Sequence, residues 1–384
     1  MKTLKIRTLG AKGIDLVATP LESENDTLTN AQNATVRPVQ GHYGLTKRDG
    51  MAKINSTAAA GSLAQIINIP INSIGDSATC NVVTPDNNWE AGAWSHDLGL
   101  FAIVSTSGTG NRVATSPDGI TWTSRTSAAD ISWRDIVWHD EIDLFVAVGN
   151  GGSAATQVMT SPDGITWTSR TAAADRAWEG LAYSPDINLF VAVARDGAAA
   201  GMVMTSPDGI TWTSRTAAAV RGWRNVCWAN TLNLFVAVGG TVGVTDEVMT
   251  SPDGITWTIR DPGLNVSWYD VSWSEELALL VAVGAHDTFG NMIMSSANGI
   301  TWTLTSSSVT GQARSIAWSP ERNVFVAAHY TNDGFYTSSN GTTWQNINSN
   351  CSQIAIYDTV YAPTLEKFLL IGEDSGGVTT LEVF

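Results

Sequence analysis

The stretch "VMTSPDGITWTSRT", residues 158–171, recurs almost unchanged from Val203 and again, as "VMTSPDGITWTIR", from Val248. Its core, S-x-[DN]-G-[IT]-T-W, places an acid or amide at Asp118, Asp163, Asp208, Asp253, Asn298 and Asn340, with spacings of 45, 45, 45, 45 and 42 residues. A period of about 45 residues is that of a repeat architecture in which each unit is one small sheet. Between the turns runs a second pattern, "SWRDIVWHDEIDLFVAV" in the copy around Trp133, which occurs seven times, the last copy being "QIAIYDTVYAPTLEKFLLIG" ending at Gly372. Each unit reads as four strands, taken in one copy as Trp133–Trp138, Leu144–Gly149, Gln157–Thr160 and Ile165–Ser169. Runs such as "LFVAV" are continuously apolar, as in strands covered on both faces. Four-stranded sheets that cover one another face to face describe a β-propeller.

Seven strand pairs against six turns locate the seam of the ring. The last copy supplies two strands and "GGVTTLEVF" a third, while "DSATCNVVTP" (Asp76–Pro85) is β-prone and free to serve as the fourth. Closure by strands from both ends removes exposed sheet edges. The expectation is an all-β, seven-bladed propeller over residues 76–384, with six blades and a distorted seam as the alternative, preceded by an extended N-terminal assembly arm over 1–75.

Within the turn, Pro162 fixes φ for a type I turn, Asp163 follows, and Gly164 supplies the positive φ that rejoins the strands. Ser161 and Asp163 offer short acceptors to nearby backbone N–H groups. With strand four starting at Ile165, Ile165 and Trp167 share one face. Trp122, Trp167, Trp212, Trp257, Trp302 and Trp344 are accordingly expected to pack between blades. The turn resembles the Asp-box of sialidase-like propellers, S-x-D-x-G-x-T-W, shortened by one residue. The resemblance implies a structural role for Asp118, Asp163, Asp208, Asp253, Asn298 and Asn340 on the propeller's periphery.

Catalytic strings are not apparent. The repeat arginines Arg125, Arg170, Arg215 and Arg260 sit at equivalent positions after strand four and are spread around the ring. Five histidines and three cysteines (Cys80, Cys227, Cys351) lack metal-ligand spacing. One carboxylate per turn is a poor calcium site. The expectation is no catalytic residue, no metal, no cofactor and no enzymatic activity, with a glycan-cleaving enzyme as the third choice. Trp89, Trp133, Trp178, Trp223 and Trp268 open strand one of successive units, and Ala313 and Ile356 take that place in the last two. Because inner strands line a propeller's channel, these five indoles form a candidate binding platform for sugars or a partner; interblade packing is the other reading.

A net charge of −15 argues against general binding of nucleic acid or anionic membranes. No apolar run approaches the length of a membrane span, and "MKTLKIRTLGAKG" has no signal-peptide core. The charge is uneven: residues 1–55 hold eight Lys/Arg against five Asp/Glu, and the remainder is strongly acidic. That N-terminal region shares none of the repeat. Its "GID" segment, "LTNAQNATVRP" and above all "GLTKRDG" (Gly44, Leu45, Lys47, Arg48 and Gly50, with Asp49 where the pattern has proline) resemble the start of tail nozzle, or tail tubular B-like, proteins of short-tailed phages. The resemblance implies a virion structural protein in the phage tail. It also implies that the N-terminal segment joins other tail proteins and copies of the chain into a homo-oligomeric ring, six-fold symmetry being favoured. A virion-displayed receptor binder that recognises a host surface glycan is the alternative.

Overall fold

The computed structural model describes residues 5–10, 13–17, 34–39, 42–47, 79–83, 86–240, 247–263, 266–286, 290–305, 312–330, 334–348, 355–374 and 377–383. Two compact units are present, Met1–Asn72 and Ser73–Phe384.

Among the described residues the second unit is a β-propeller of seven four-stranded antiparallel sheets, six of them meanders of consecutive strands ordered from the channel outward. Their inner strands are Trp89–Ser95, Ser132–His139, Trp178–Ser184, Trp223–Ala229, Ser267–Ser274, Ala313–Ser319 and Ala355–Ala362, numbered here as blades 1 to 7. Each inner strand neighbours the next, and that of blade 7 returns to blade 1, which closes the ring. In blade 7 the inner strand, Lys367–Asp374 and Gly377–Val383 are completed by Thr79–Val82, which pairs antiparallel with the third strand from Thr379↔Val82 to Glu382↔Thr79. The outermost strand of that sheet therefore comes from before blade 1, and the closure is made with backbone hydrogen bonds.

The core lies between the blades rather than within one sheet. One cluster joins Val191, Val193 and Met202 of blade 3 to Trp223, Val226, Phe235 and Trp257 of blade 4. Equivalent clusters occupy the other gaps. The Trp of each Asp or Asn turn enters such a cluster: Trp257 here, and Trp122, Trp167, Trp212, Trp302 and Trp344 elsewhere. Five of them also donate the indole N–H to the carbonyl of the turn glycine, at 3.0–3.3 Å.

In the turn itself Asp163 Oδ1 accepts the N–H groups of Ile165 and Thr166 at 2.8 and 2.7 Å and the Ser161 hydroxyl at 3.0 Å. Gly164 has φ of 68°. Asn298 and Asn340 make the same bonds with their amide oxygens. This bonding corrects one boundary. Ile165 and Thr166 belong to the turn because Asp163 holds their N–H groups, and the outer strand begins only at Thr168. Ile165 does not share the buried face of Trp167; it is 50% exposed, and Ile120, Ile210, Ile255 and Ile300 are exposed in the same way. The repeat arginines brace the outer strand: Arg125, Arg170, Arg215 and Arg260 each donate Nε–H to a threonine hydroxyl of strand three at 2.9–3.0 Å.

In the first unit, strands Lys5–Gly10, Gly13–Val17, Ala34–Val39 and His42–Lys47 form one four-stranded sheet in which the last two pair from Ala34↔Lys47 to Val39↔His42. The segment expected to be an extended arm thus carries a small sheet. "KIRTL" and "ATVRPV" each precede another β-prone run, so two local hairpins satisfy much of their backbone. Gly44, Leu45 and Lys47 lie on the fourth of these strands, while Arg48 and Gly50 fall outside the described residues.

Candidate functional site

Every inner strand carries the same irregularity near its start. In blade 2, Trp133 pairs with Gly149 and Asp135 with Val148, leaving Arg134 without a partner residue. The same shift leaves out Glu90, Glu179, Arg224, Tyr269, Arg314 and Tyr357 in the other blades. A β-bulge inserts one residue and re-aims its side chain. Repeated seven times around a channel, the bulges bring seven side chains together. All of them line one cavity, together with Ala91, Asp135, Asn225, Asp270 and Asp358 from the following position. The cavity sits on the channel axis, at the end where the inner strands begin.

The bulge side chains alternate glutamate and arginine over blades 1 to 4 and then run tyrosine, arginine, tyrosine. Arg134 Nη1 donates to Glu90 Oε1 at 2.9 Å, and its Nε lies 3.9 Å from Glu179. Arg314 reaches Glu90 at 3.5 Å, and Arg195 reaches Glu179 at 3.5 Å. The Arg314 guanidinium also lies over the rings of Tyr357 and Tyr330, at 4.6 and 4.8 Å, and within 5.9 Å of Tyr269. Arg224 lies over Tyr269 at 4.7 Å. Such cation–π contacts stabilise a guanidinium partly removed from water. Burial holds the Glu90 carboxyl above the usual carboxylate range, against the pull of Arg134 and Arg314. Burial lowers the Arg224 guanidinium, with Arg195 and Arg314 as further like charges.

Behind the bulge residues three aspartates tie blades together. Asp135 accepts the Leu181 N–H of blade 3 at 2.7 Å, Asp270 the Ile316 N–H of blade 6 at 2.7 Å, and Asp358 the Gly92 N–H of blade 1 at 2.9 Å. Asn225 adds a bond to Asp270 at 2.6 Å, and Ser315 one to Asp358 at 3.2 Å. Burial, and then mutual repulsion, push Asp135 well up and Asp270 to about 7; burial also raises Asp358. These carboxyls are engaged in holding the inner strands. The charged groups available at the mouth are those of the bulges.

The candidate platform of Trp89, Trp133, Trp178, Trp223 and Trp268 is not formed. All five indoles are fully buried, as are Ala313 and nearly so Ile356 in the equivalent places. Trp223 and Trp268 pack in interblade clusters with the second and third strands, so no face is left for a ligand. The residues at the channel are the next ones along, and their one sequence signal is that they vary between copies while their neighbours repeat. Of the cysteines, Cys227 is a free, largely buried thiol that burial pushes up, and Cys351 lies outside the described residues. Among the described residues no group of three His, Cys, Asp or Glu side chains could hold a metal ion. No helix among them is long and apolar enough to cross a membrane.

A scan against protein families and a search of curated proteins find no match. Solved structures do match. Virginiamycin B lyase from Staphylococcus aureus aligns with a TM-score of 0.65 at 9% identity, over 80% of this chain and 99% of the lyase. YCF48 from Cyanidioschyzon merolae aligns at 0.59 and 14% identity, over 79% of this chain and 98% of its own. Hydrazine synthase of Kuenenia stuttgartiensis aligns at 0.59 and 11% identity, over 78% and 96%. At such identities the likeness defines the class, a β-propeller, and nothing narrower. It corrects the expectation that the chain is not an enzyme. This fold is shared with a lyase, so a propeller of this kind is compatible with catalysis.

Proposed function

We propose that the chain is a structural protein of a short-tailed phage particle, a tail nozzle-like component that assembles into a ring through its N-terminal unit. The observation that carries this reading is the pairing of the unrepeated "LTNAQNATVRP…GLTKRDG" segment with a rigid, closed propeller. The reading also takes the six clasped turns as Asp-box-like elements that hold blades shut. Deleting residues 1–55 is expected to leave a folded propeller that no longer forms rings with full-length copies. Persistence of the rings in sedimentation velocity would refute the assembly role.

A second reading is favoured by the channel mouth: a virion-displayed propeller that recognises a host surface glycan. Arginine, glutamate and tyrosine side chains gathered from seven blades offer donors, acceptors and stacking faces of the kind sugars need. Loss of cell-surface binding when Arg224 and Tyr357 are both replaced by alanine would support it, and unchanged binding would count against it.

A further inference from the structure

Four guanidinium groups meet at or beside the mouth, those of Arg134, Arg195, Arg224 and Arg314, and among the described residues two glutamates, Glu90 and Glu179, face them. Glu90 pairs with Arg134 and Arg314, and Glu179 with Arg195 and Arg134. Arg224 makes no ion pair among the described residues, and its Nε is buried with no hydrogen-bond partner. A buried donor left unmatched is costly, and more so when charged. Its guanidinium lies over the Tyr269 ring at 4.7 Å, a contact that favours its staying in place.

We propose that the channel mouth binds an acidic sugar through its carboxylate, and that Arg224 takes that carboxylate. This rests on the glycan-recognition reading above. A planar fork of N–H donors matches the two oxygens of a carboxylate. Glu179 of the neighbouring blade stands near the position and Glu90 lines the same cavity; both would repel a phosphate dianion, yet they can accept hydrogen bonds from sugar hydroxyls. Asn225, also at the cavity wall, adds a further polar contact. A singly charged, hydroxyl-bearing ring satisfies all of these groups together.

Titration calorimetry of the full chain at low salt, with glucuronate, glucose and inorganic phosphate as probes, tests the proposal. The expected result is that glucuronate binds at least about ten-fold more tightly than glucose, the margin of one charge-assisted hydrogen bond, and that phosphate binds more weakly than glucuronate. Arg224→Gln should remove the preference for glucuronate over glucose. Arg224→Lys, which keeps the charge and loses the fork, should recover part of it and serves as the second variant if the first fails to fold. Equal binding of glucuronate and glucose, or a preference that survives Arg224→Gln, overturns the carboxylate assignment and leaves glycan recognition standing. Phosphate binding as tight as glucuronate overturns it in favour of a simple anion site. If neither these sugars nor a broad panel of neutral and acidic glycans binds, both the assignment and the reading beneath it fail.

Discussion

Single residues in this chain divide into those the repeat preserves and those it varies, and the division separates packing from the candidate site. Trp133 and Arg134 are adjacent, yet one indole is sealed between blades and the other side chain reaches the channel. Sequence spacing points to the tryptophans because they recur; the bulge that sends the next residue into the channel is invisible there, since a bulge is defined by the partner strand's register. Two carboxyl types give opposite pH effects. Asp163 sits below the usual carboxylate range: burial alone would raise it, but the N–H groups of Thr166 and Ile165 prevail. Its contribution to stability is therefore present at neutral pH and lost as pH falls below about 4. Asp163→Ala is expected to lower unfolding stability by about 0.5–2 kcal/mol at pH 7, read from the denaturant midpoint; no change would contradict the clasp. Asp270 runs the other way. Burial, then the nearby Asp358, move its carboxyl from 3.8 to about 7, so the folded protein keeps a proton that the unfolded chain has released. That contribution is complete at or below pH 3.8, falls as pH rises toward 7 and is flat above it. Asp270→Asn should flatten the decline in midpoint between about pH 4 and 7, and an unaltered decline would show that this carboxyl is not the cause.

At the scale of the element, the four-strand unit is plainly legible. The runs "LFVAV" become Phe145–Val148 and their equivalents, all fully buried, and the turn glycines take the positive φ that the type I turn with its bulge requires. Strand four is misplaced by three residues because the hydrogen bonds of Asp163 are made with the backbone that alternation assigns to a strand. The interblade clasps of Asp135, Asp270 and Asp358 could not be read at all, since each joins residues 46 positions apart or from opposite ends of the propeller, and the equivalent positions hold Ala91, Gly180, Asn225 and Ser315. At Gly180 alone this position is closed to a side chain. A Cβ there would stand 2.6 Å from the Arg224 carbonyl oxygen and 2.6 Å from Asn225 Cα, backbone atoms that cannot move aside cheaply. Gly180→Ala is expected to cost about 1–3 kcal/mol by separating the inner strands of blades 3 and 4. A variant as stable as the parent in denaturant unfolding would mean that those strands part without strain.

The whole propeller is a closed ring whose strength lies in the gaps between blades, so a change at one inner strand is felt by its neighbour. The sequence made the closure readable through a count, seven strand pairs against six turns, and through one unassigned β-prone segment; Thr79–Val82 fills that place beside Gly377–Val383. The N-terminal unit is less legible. It has no repeat to set register, and its four-stranded sheet was not apparent in a polar segment read as an arm. Its role at this scale is the proposed attachment to the particle. Electron microscopy of particles that contain the protein tests that claim most directly. The account predicts a ring of copies in the tail, joined through their N-terminal units, each with a propeller. A protein absent from the particle, or present there as isolated copies held by their propellers, would contradict it.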